Sequence, residues 1–234
     1  YFKYEGETCS KAIDLVFNKK RADDRKKWLS NYDRDDSLNT NVSTINYSQF
    51  VNQEMIHFSK YDCERSIPNM VDGQKTSNRK ILFAAFKRKL TKEVKVAQFS
   101  GYISEHSCYH HGEVSLQKAI VGMAHEYVGT NNIAMLMPNG QFGTRLQGGK
   151  DSASERYIFT QLNTLTKMLF PEQDMPLMNY LKDDGVAVEP DYYVPIIPMI
   201  LVNGSKGIGT GFSTEILCYN PIDIVKNIKN KIEG

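Results

Sequence analysis

The feature that most restricts this chain is a change of texture near its middle. EVSLQKAIVGMAHEYV, residues 113–128, has helical spacing: Leu116, Ile120, Met123 and Tyr127 recur at i, i+4, i+7 and i+11. It gives way to AMLMPNGQFGTRLQGGKDSAS, with glycines at 140, 143, 148 and 149. Asn139-Gly140 signals a hairpin turn, and so many glycines are incompatible with a continued helix.

Further helical segments precede this point. Residues 10–31 read as a short apolar element and a charged helix, and 33–47 as a polar linker. Residues 48–60 regain helical spacing through Phe50, Val51, Ile56 and Phe58. ERSIPNMVDG punctuates the chain, with Asp72-Gly73 as a turn. A helix is expected from Ser77 or Asn78, burying Ile81, Leu82, Ala85 and Phe86. A third helix of the central region is expected from about Ser154 to Leu169. From about 171 the chain reads as β-rich, with an Asn203-Gly204 turn. PIDIVKNIKNKIEG closes it as a helix with Pro221 in the first turn. The fold class is therefore α+β. Helices followed by glycine-rich hairpins give the order of a winged helix, a CAP-like helix-turn-helix with a β wing.

With 234 residues, 41% of them hydrophobic and 24% charged, the chain can build a substantial core. No apolar run reaches the ~20 residues of a membrane helix. Cys9, Cys63, Cys108 and Cys218 form no CxxC pair, which argues against zinc and for a reducing, intracellular setting. The start, YFKYEGETCS, has neither an initiator Met nor a signal sequence, so a piece of a longer chain is expected. The whole carries +2, but residues 71–95 hold Lys75, Arg79, Lys80, Lys87, Arg88, Lys89, Lys92 and Lys95 against Asp72 and Glu93. Such an excess suits a polyanion such as nucleic acid, or simply a solvated helix face.

Four motifs bear on chemistry. Tyr157 follows Arg156; a phenol is a weak nucleophile unless cations stabilise its anion, and one tyrosine among thirteen is also an ordinary packing residue. His110-His111-Gly112-Glu113 could donate to a phosphate at a helix start, but adjacent histidines rarely share one metal. GSKGIGTG, residues 204–211, lacks the Walker ending; Ile208 at its apex is either a wedge between base pairs or a core residue. Asp33-Arg34-Asp35 lies in a polar linker and reads as surface. No metal site is expected from these residues.

Seven stretches together carry a resemblance: KKRADDRKKWL, ERSIPNMVDG, KVAQFSGYISE, SCYHHGE, NGQFGTRLQGGKDSASERYIFT, VEPDYYVPIIPMILVNGSKGIGTGFST and NPIDIVKNI. In this order they resemble the DNA breakage-reunion region of eukaryotic-type DNA topoisomerase II, over essentially the whole chain. The resemblance implies the end of a TOPRIM domain and a linker over 1–60. It implies a winged helix with the catalytic tyrosine over 61–170, and the start of a tower domain from 171 to 234. Tyr157 matches the tyrosine that becomes joined to a 5′ phosphate. Arg156, Arg79 and His111 match residues around that phosphate, and Ile208 matches the isoleucine inserted into the duplex. Lys75, Lys80, His110, Arg145 and Lys150 are the expected further DNA contacts.

The implied partners are double-stranded DNA and a second copy of the chain, with no membrane. The implied cofactors, Mg²⁺ and ATP, belong to the full-length enzyme and not to these residues. The implied location is nuclear, or the host cytoplasm for a viral protein. Two departures stand out. DGQKTSNRK replaces the family's DGLKPGQRK, and Glu155 precedes Arg156 where Pro or Ala is usual; a carboxylate there is expected to turn away or pair with a base. Two rivals remain: a DNA-binding module without chemistry, and a gyrase-like enzyme that introduces supercoils.

Overall fold

The structure, a computed structural model, describes residues 1–39 and 41–234. Two units divide the chain: Tyr1–Ile67 with Lys206–Thr214, and Pro68–Ser205 with Glu215–Gly234. The boundary expected near 60 thus falls at 67/68. Residues on both sides of 170 share one unit, because Phe170, Tyr193, Met199 and Ile224 join the same core as Ile81, Phe99 and Leu116.

In the first unit, α1 (Glu7–Phe17) and α2 (Ala22–Ser30) are the short element and charged helix anticipated. Strand β1 (Phe2–Lys3) pairs in parallel with β2 (Ile45–Asn46). Asn46 then caps α3 (Tyr47–Phe50). Its side chain accepts from the Gln49 amide at 2.8 Å, and the Gln49 side chain accepts from the Asn46 amide at 3.0 Å. A π-helical stretch, Val51–Met55, continues into α4 (Ile56–Ser66). Ala12, Trp28, Leu29, Val51 and Ile56 form the core, and the Trp28 indole donates to Asn52 Oδ1 at 3.0 Å. The linker is tied to α4: His57 Nε2 pairs with the Asp36 carbonyl at 3.0 Å, and Gln53 donates to Asp36 Oδ1 at 2.8 Å. Asp33 accepts from the Asp35 amide at 3.0 Å, an Asx turn that accounts for the DxD. Thr40 of this linker lies outside the described residues.

The second unit is built on three helices. The first, α5 (Thr76–Lys87), starts one residue earlier than expected. Ile81, Leu82, Ala84 and Ala85 are fully buried, and each large aliphatic among them contributes roughly 1.5–3 kcal/mol. Strand β3 (Val94–Lys95) leads directly into α6 (Val96–Ser107), a helix that was not anticipated. Val96, Phe99, Ser100, Ile103 and Ser107 form its buried face at i, i+3, i+4, i+7 and i+11. Cys108 then ends α6 in the left-handed region (φ 48°). α7 (Glu113–Ala124) stops four residues short of the predicted 128.

The expected helix from Ser154 gives way, over its first ten residues, to a turn and a short strand. Ile158, Thr160 and Leu162 are buried and Phe159 and Gln161 are not, a period of two. Here β4 (Phe159–Thr160) runs antiparallel to β3, pairing Val94 with Thr160. On its other side, bridges join Leu136 to Leu162 and Asn139 to Phe159. Only Thr164–Leu169 is helical (α8), with the Asn163 side chain accepting from the Leu165 amide. An antiparallel hairpin follows, β5 (Tyr180–Asp183) with β6 (Val186–Pro190). MILV, expected as strand, forms the short α9 (Met199–Val202), because the Pro198 carbonyl accepts from the Leu201 and Val202 amides.

The turn at Asn203-Gly204 is as expected. Asn203 Oδ1 accepts from the Ile133 amide and its Nδ2 donates to the Ile133 carbonyl, both at 2.9 Å. Gly204 (φ +66°) has no room for a Cβ, which would lie 2.5 Å from the Ile216 carbonyl oxygen. Strands β7 (Ser205–Gly209) and β8 (Phe212–Ile216) pair as a hairpin, and α10 (Pro221–Glu233) follows.

Candidate functional site

Tyr157 stands on a turn, and not on a helix. Its amide donates to the Ser154 carbonyl at 2.9 Å, and its side chain is 75% exposed while the next residue, Ile158, is 1% exposed. The turn is fastened to the start of α6: the Val96 amide donates to the Ile158 carbonyl and the Ala97 amide to the Glu155 carbonyl, each at 3.0 Å. The first amides of a helix lack partners inside it, so this segment satisfies them and is located by them. The phenol is thus presented outward from a fixed backbone.

The glycine-rich segment before it is compact. Asp151 gathers its two ends, accepting from the Thr144 amide and the Thr144 hydroxyl at 2.8 Å each, and from Gln141 at 3.3 Å. The Thr144 amide is the main reason the Asp151 carboxyl sits below the usual aspartate range. A Cβ on Gly143 (φ +104°) would meet Gly149 Cα at 2.5 Å. A Cβ on Gly149 (φ +80°) would meet the Tyr127 hydroxyl at 2.7 Å and the His125 ring at 2.8 Å. α7 ends where His125 takes up extended backbone, and the Asn131 side chain donates to the Gly122 and His125 carbonyls there at 2.8 Å each. His125 Nε2 is the one buried side-chain nitrogen or oxygen without a hydrogen bond among the described residues.

The predicted cations divide into two groups. Arg156, Arg145 and Lys150 are exposed and Lys75 is half-buried; none makes an ion pair among the described residues. Arg79 is 6% exposed and held face to face with Asp72, at 2.7 and 3.1 Å, with a further bond to the Gln74 carbonyl at 2.9 Å. Asp72 also accepts from the Gln74 amide at 2.8 Å and the Tyr193 amide at 3.0 Å, so this buried carboxylate is fully satisfied. The adjacent Gly73 lets Ile200 approach: a Cβ there would meet Ile200 Cα at 2.7 Å. Lys80 turns inward as well, to Glu189 at 2.8 Å and the Ser107 carbonyl. In this arrangement neither Arg79 nor Lys80 offers its charge to a phosphate. Asp72 and Glu189, which draw these cations inward, were not identified from sequence, where Asp72 read only as a turn residue.

The remaining basic cluster is exposed, with Arg88 over the Tyr102 ring at 4.9 Å and Lys95 over the Phe159 ring at 5.9 Å. His110 is exposed and bonded to Asp183 at 3.0 Å; His111 is half-buried and edge-on to Tyr109 at 5.2 Å. Glu155 pairs with no base among the described residues. The Tyr157 hydroxyl makes no hydrogen bond among them either, so the expected group of Tyr157, Arg156, Arg79 and His111 is not drawn together by direct bonds. No three His, Cys, Asp or Glu side chains gather as metal ligands among the described residues. In the first unit, Ile208 on β7 is 71% exposed, so it is not the core residue its chemistry allowed.

Residues 65–234 match the family model for the A-type chain of DNA gyrase/topoisomerase IV, and residues 1–63 match the C-terminal associated domain of TOPRIM. The chain belongs to the type II DNA topoisomerase family. It is 55% identical to DNA topoisomerase 2 of Arabidopsis thaliana over 233 residues, and 50% identical to DNA topoisomerase 2-alpha of Homo sapiens over 245. Each match takes in all of this chain but 16% of the relative's length. The crystal structure of the Plasmodium falciparum topoisomerase II DNA-binding, cleavage and re-ligation domain is similar at a TM-score of 0.84 and 51% identity. That match covers 99% of this chain and 32% of the other. The similarity is to the eukaryotic type 2 enzymes along the full stretch, glycine segment and tyrosine turn included.

Proposed function

We propose that this chain carries the strand-cleaving tyrosine of an ATP-dependent type IIA topoisomerase. The observation that carries the reading is the Tyr157 turn, whose phenol is lifted clear of a strand buried from the next residue on, beside an unpaired arginine. The Tyr157 oxygen attacks a backbone phosphorus and displaces the 3′ oxygen, which takes up a proton. The product is a 5′-phosphotyrosyl bond, and reversal reseals the strand without a further energy source. Arg156 supplies a planar fork of donors to the phosphate oxygens, and His111 supports the reacting oxygens. Arg79 acts as a positioning residue: through Asp72 it fixes the start of α5, where Lys75 stands. Lys75, Arg145 and Lys150 contact DNA phosphates, His110 does so on release from Asp183, and Ile208 is the wedge that bends the duplex.

In this reading, α5 to α7 and the small sheet around β4 form a winged helix. The first unit completes a TOPRIM domain, and the segment from about 171 begins a tower. Mg²⁺ and ATP are requirements of the whole enzyme, which works as a homodimer in the nucleus; a partner copy can supply groups to the phosphate that Tyr157 attacks. The chemistry assigned to this chain is that of its own side chains.

The test uses the enzyme with supercoiled plasmid and Mg²⁺, followed by denaturation. Tyr157→Phe should abolish covalent protein–DNA adducts and leave duplex binding intact. Adducts that persist in the variant would overturn the assignment. The isolated 234 residues are expected to bind without cleaving, since no hydrogen bond among the described residues activates the phenol. That binding should weaken with salt at a log–log slope of about −0.9 per phosphate contact.

A further inference from the structure

The second unit contains a cavity of about 770 Å³, within the ~300–1,000 Å³ range of small-molecule sites. Its floor is aromatic. Phe86 and Phe170 both pack edge-on to Tyr193, with centroids 5.6 and 5.7 Å apart, and lie 6.1 Å from each other. Its rim is basic. Lys87 and Lys89 come from the end of α5 and Lys167 from α8, and none of the three forms an ion pair among the described residues. Lys87 lies over the Phe83 ring at 5.6 Å. Glu172 is the acid in the lining, so the cavity keeps an excess of positive charge.

Tyr193 adds an observation of a different kind. The residue is 1% exposed, its amide is bonded to Asp72, and its hydroxyl makes no hydrogen bond among the described residues. That oxygen is not sealed in either, since the one fully enclosed orphan atom among the described residues is His125 Nε2. Burial holds the phenol's pKa far above its usual value, so the group stays a proton donor at any physiological pH. A hydroxyl that reaches the cavity without a protein acceptor, above an aromatic floor and beside uncompensated lysines, is complementary to an acceptor on a flat, anionic molecule.

We propose that this cavity binds a small aromatic anion, an aromatic ring carrying a phosphate. The ring lies on Phe86, Phe170 and Tyr193. The phosphate meets the lysine rim and accepts from the Tyr193 hydroxyl. The proposal is independent of the DNA chemistry, because it concerns another set of residues and is tested without DNA.

The probe is 1-naphthyl phosphate, titrated calorimetrically into the chain, with 1-naphthol and inorganic phosphate as controls that each keep half of the recognised features. The expected result is saturable one-to-one binding of naphthyl phosphate, with both controls at least about tenfold weaker. Lys167→Glu should weaken binding about fivefold. Tyr193→Phe should weaken it about tenfold with an unchanged unfolding midpoint, since the hydroxyl has no hydrogen bond among the described residues. Equal binding of naphthol would remove the rim from the account, and equal binding of inorganic phosphate would remove the floor; either overturns the proposal. So does the absence of saturable binding, or a Tyr193→Phe variant that binds like the parent.

Discussion

Arg79 and Arg156 lie in the same unit, and the family resemblance implies that both stand beside one reacting phosphate. The structure gives them opposite surroundings. Arg79 is enclosed, with its donors committed to Asp72 and the Gln74 carbonyl. Arg156 is exposed next to an exposed tyrosine and has no ion pair among the described residues. The basic cluster of residues 71–95 is likewise two populations in space. Arg79 and Lys80 pair with the buried carboxylates of Asp72 and Glu189, whereas Lys87, Arg88, Lys89, Lys92 and Lys95 are exposed. A charge count over residues 71–95 cannot separate them, because Asp72 lies within the window and Glu189 far outside it.

Neutralising each arginine in turn puts the contrast under the greatest strain. Arg79→Met leaves the Asp72 carboxylate buried and unpaired, and should cost about 3–5 kcal/mol in urea unfolding. Arg156→Met should change stability by no more than ~0.5 kcal/mol. Equal effects would end the distinction. Next in size is Gly149→Ala, expected to cost roughly 1–3 kcal/mol, since its methyl would intrude on Tyr127 and His125 at a left-handed backbone. A neutral outcome there would mean the glycine segment is as loose as its composition suggests. Asn163→Ala removes the α8 cap and should cost about 1 kcal/mol, read from the thermal midpoint.

The smallest expected effect concerns pH. The Asp151 carboxyl is depressed in the folded protein, so its contribution is complete above the unfolded value near ~3.9 and is lost as pH falls through the lower folded value. The Thr144 amide resonance should therefore shift in acid with a midpoint below that of an ordinary aspartate. In Asp151→Asn the shift should be absent.

Much of the architecture was legible in the residues. The helix carrying Ile81 and Leu82, the Asn203-Gly204 turn and the Pro221 helix start all follow from local chemistry that tertiary packing left in place. The failures have physical causes. In α6 the helical face includes Ser100 and Ser107, which are buried with hydrogen bonds to the Ala97 and Ile103 carbonyls and so do not register as apolar. IFTQL was absorbed into a helix because its alternation is short and Thr160, though polar, faces inward. Composition alone does not show that two of the glycines, Gly143 and Gly149, serve close contact. At the candidate site, the exposed position of Tyr157 could not be derived from its own identity. It depends on the strand pattern that begins one residue later.

That pattern has a consequence of its own. Along Ile158, Thr160 and Leu162, inward and outward places alternate, so parity decides what the solvent meets. A deletion of Phe159 alone would leave the composition almost untouched. Any rethreading that slid the tyrosine forward by one step would exchange it for an isoleucine at the surface and hide the phenol in the core.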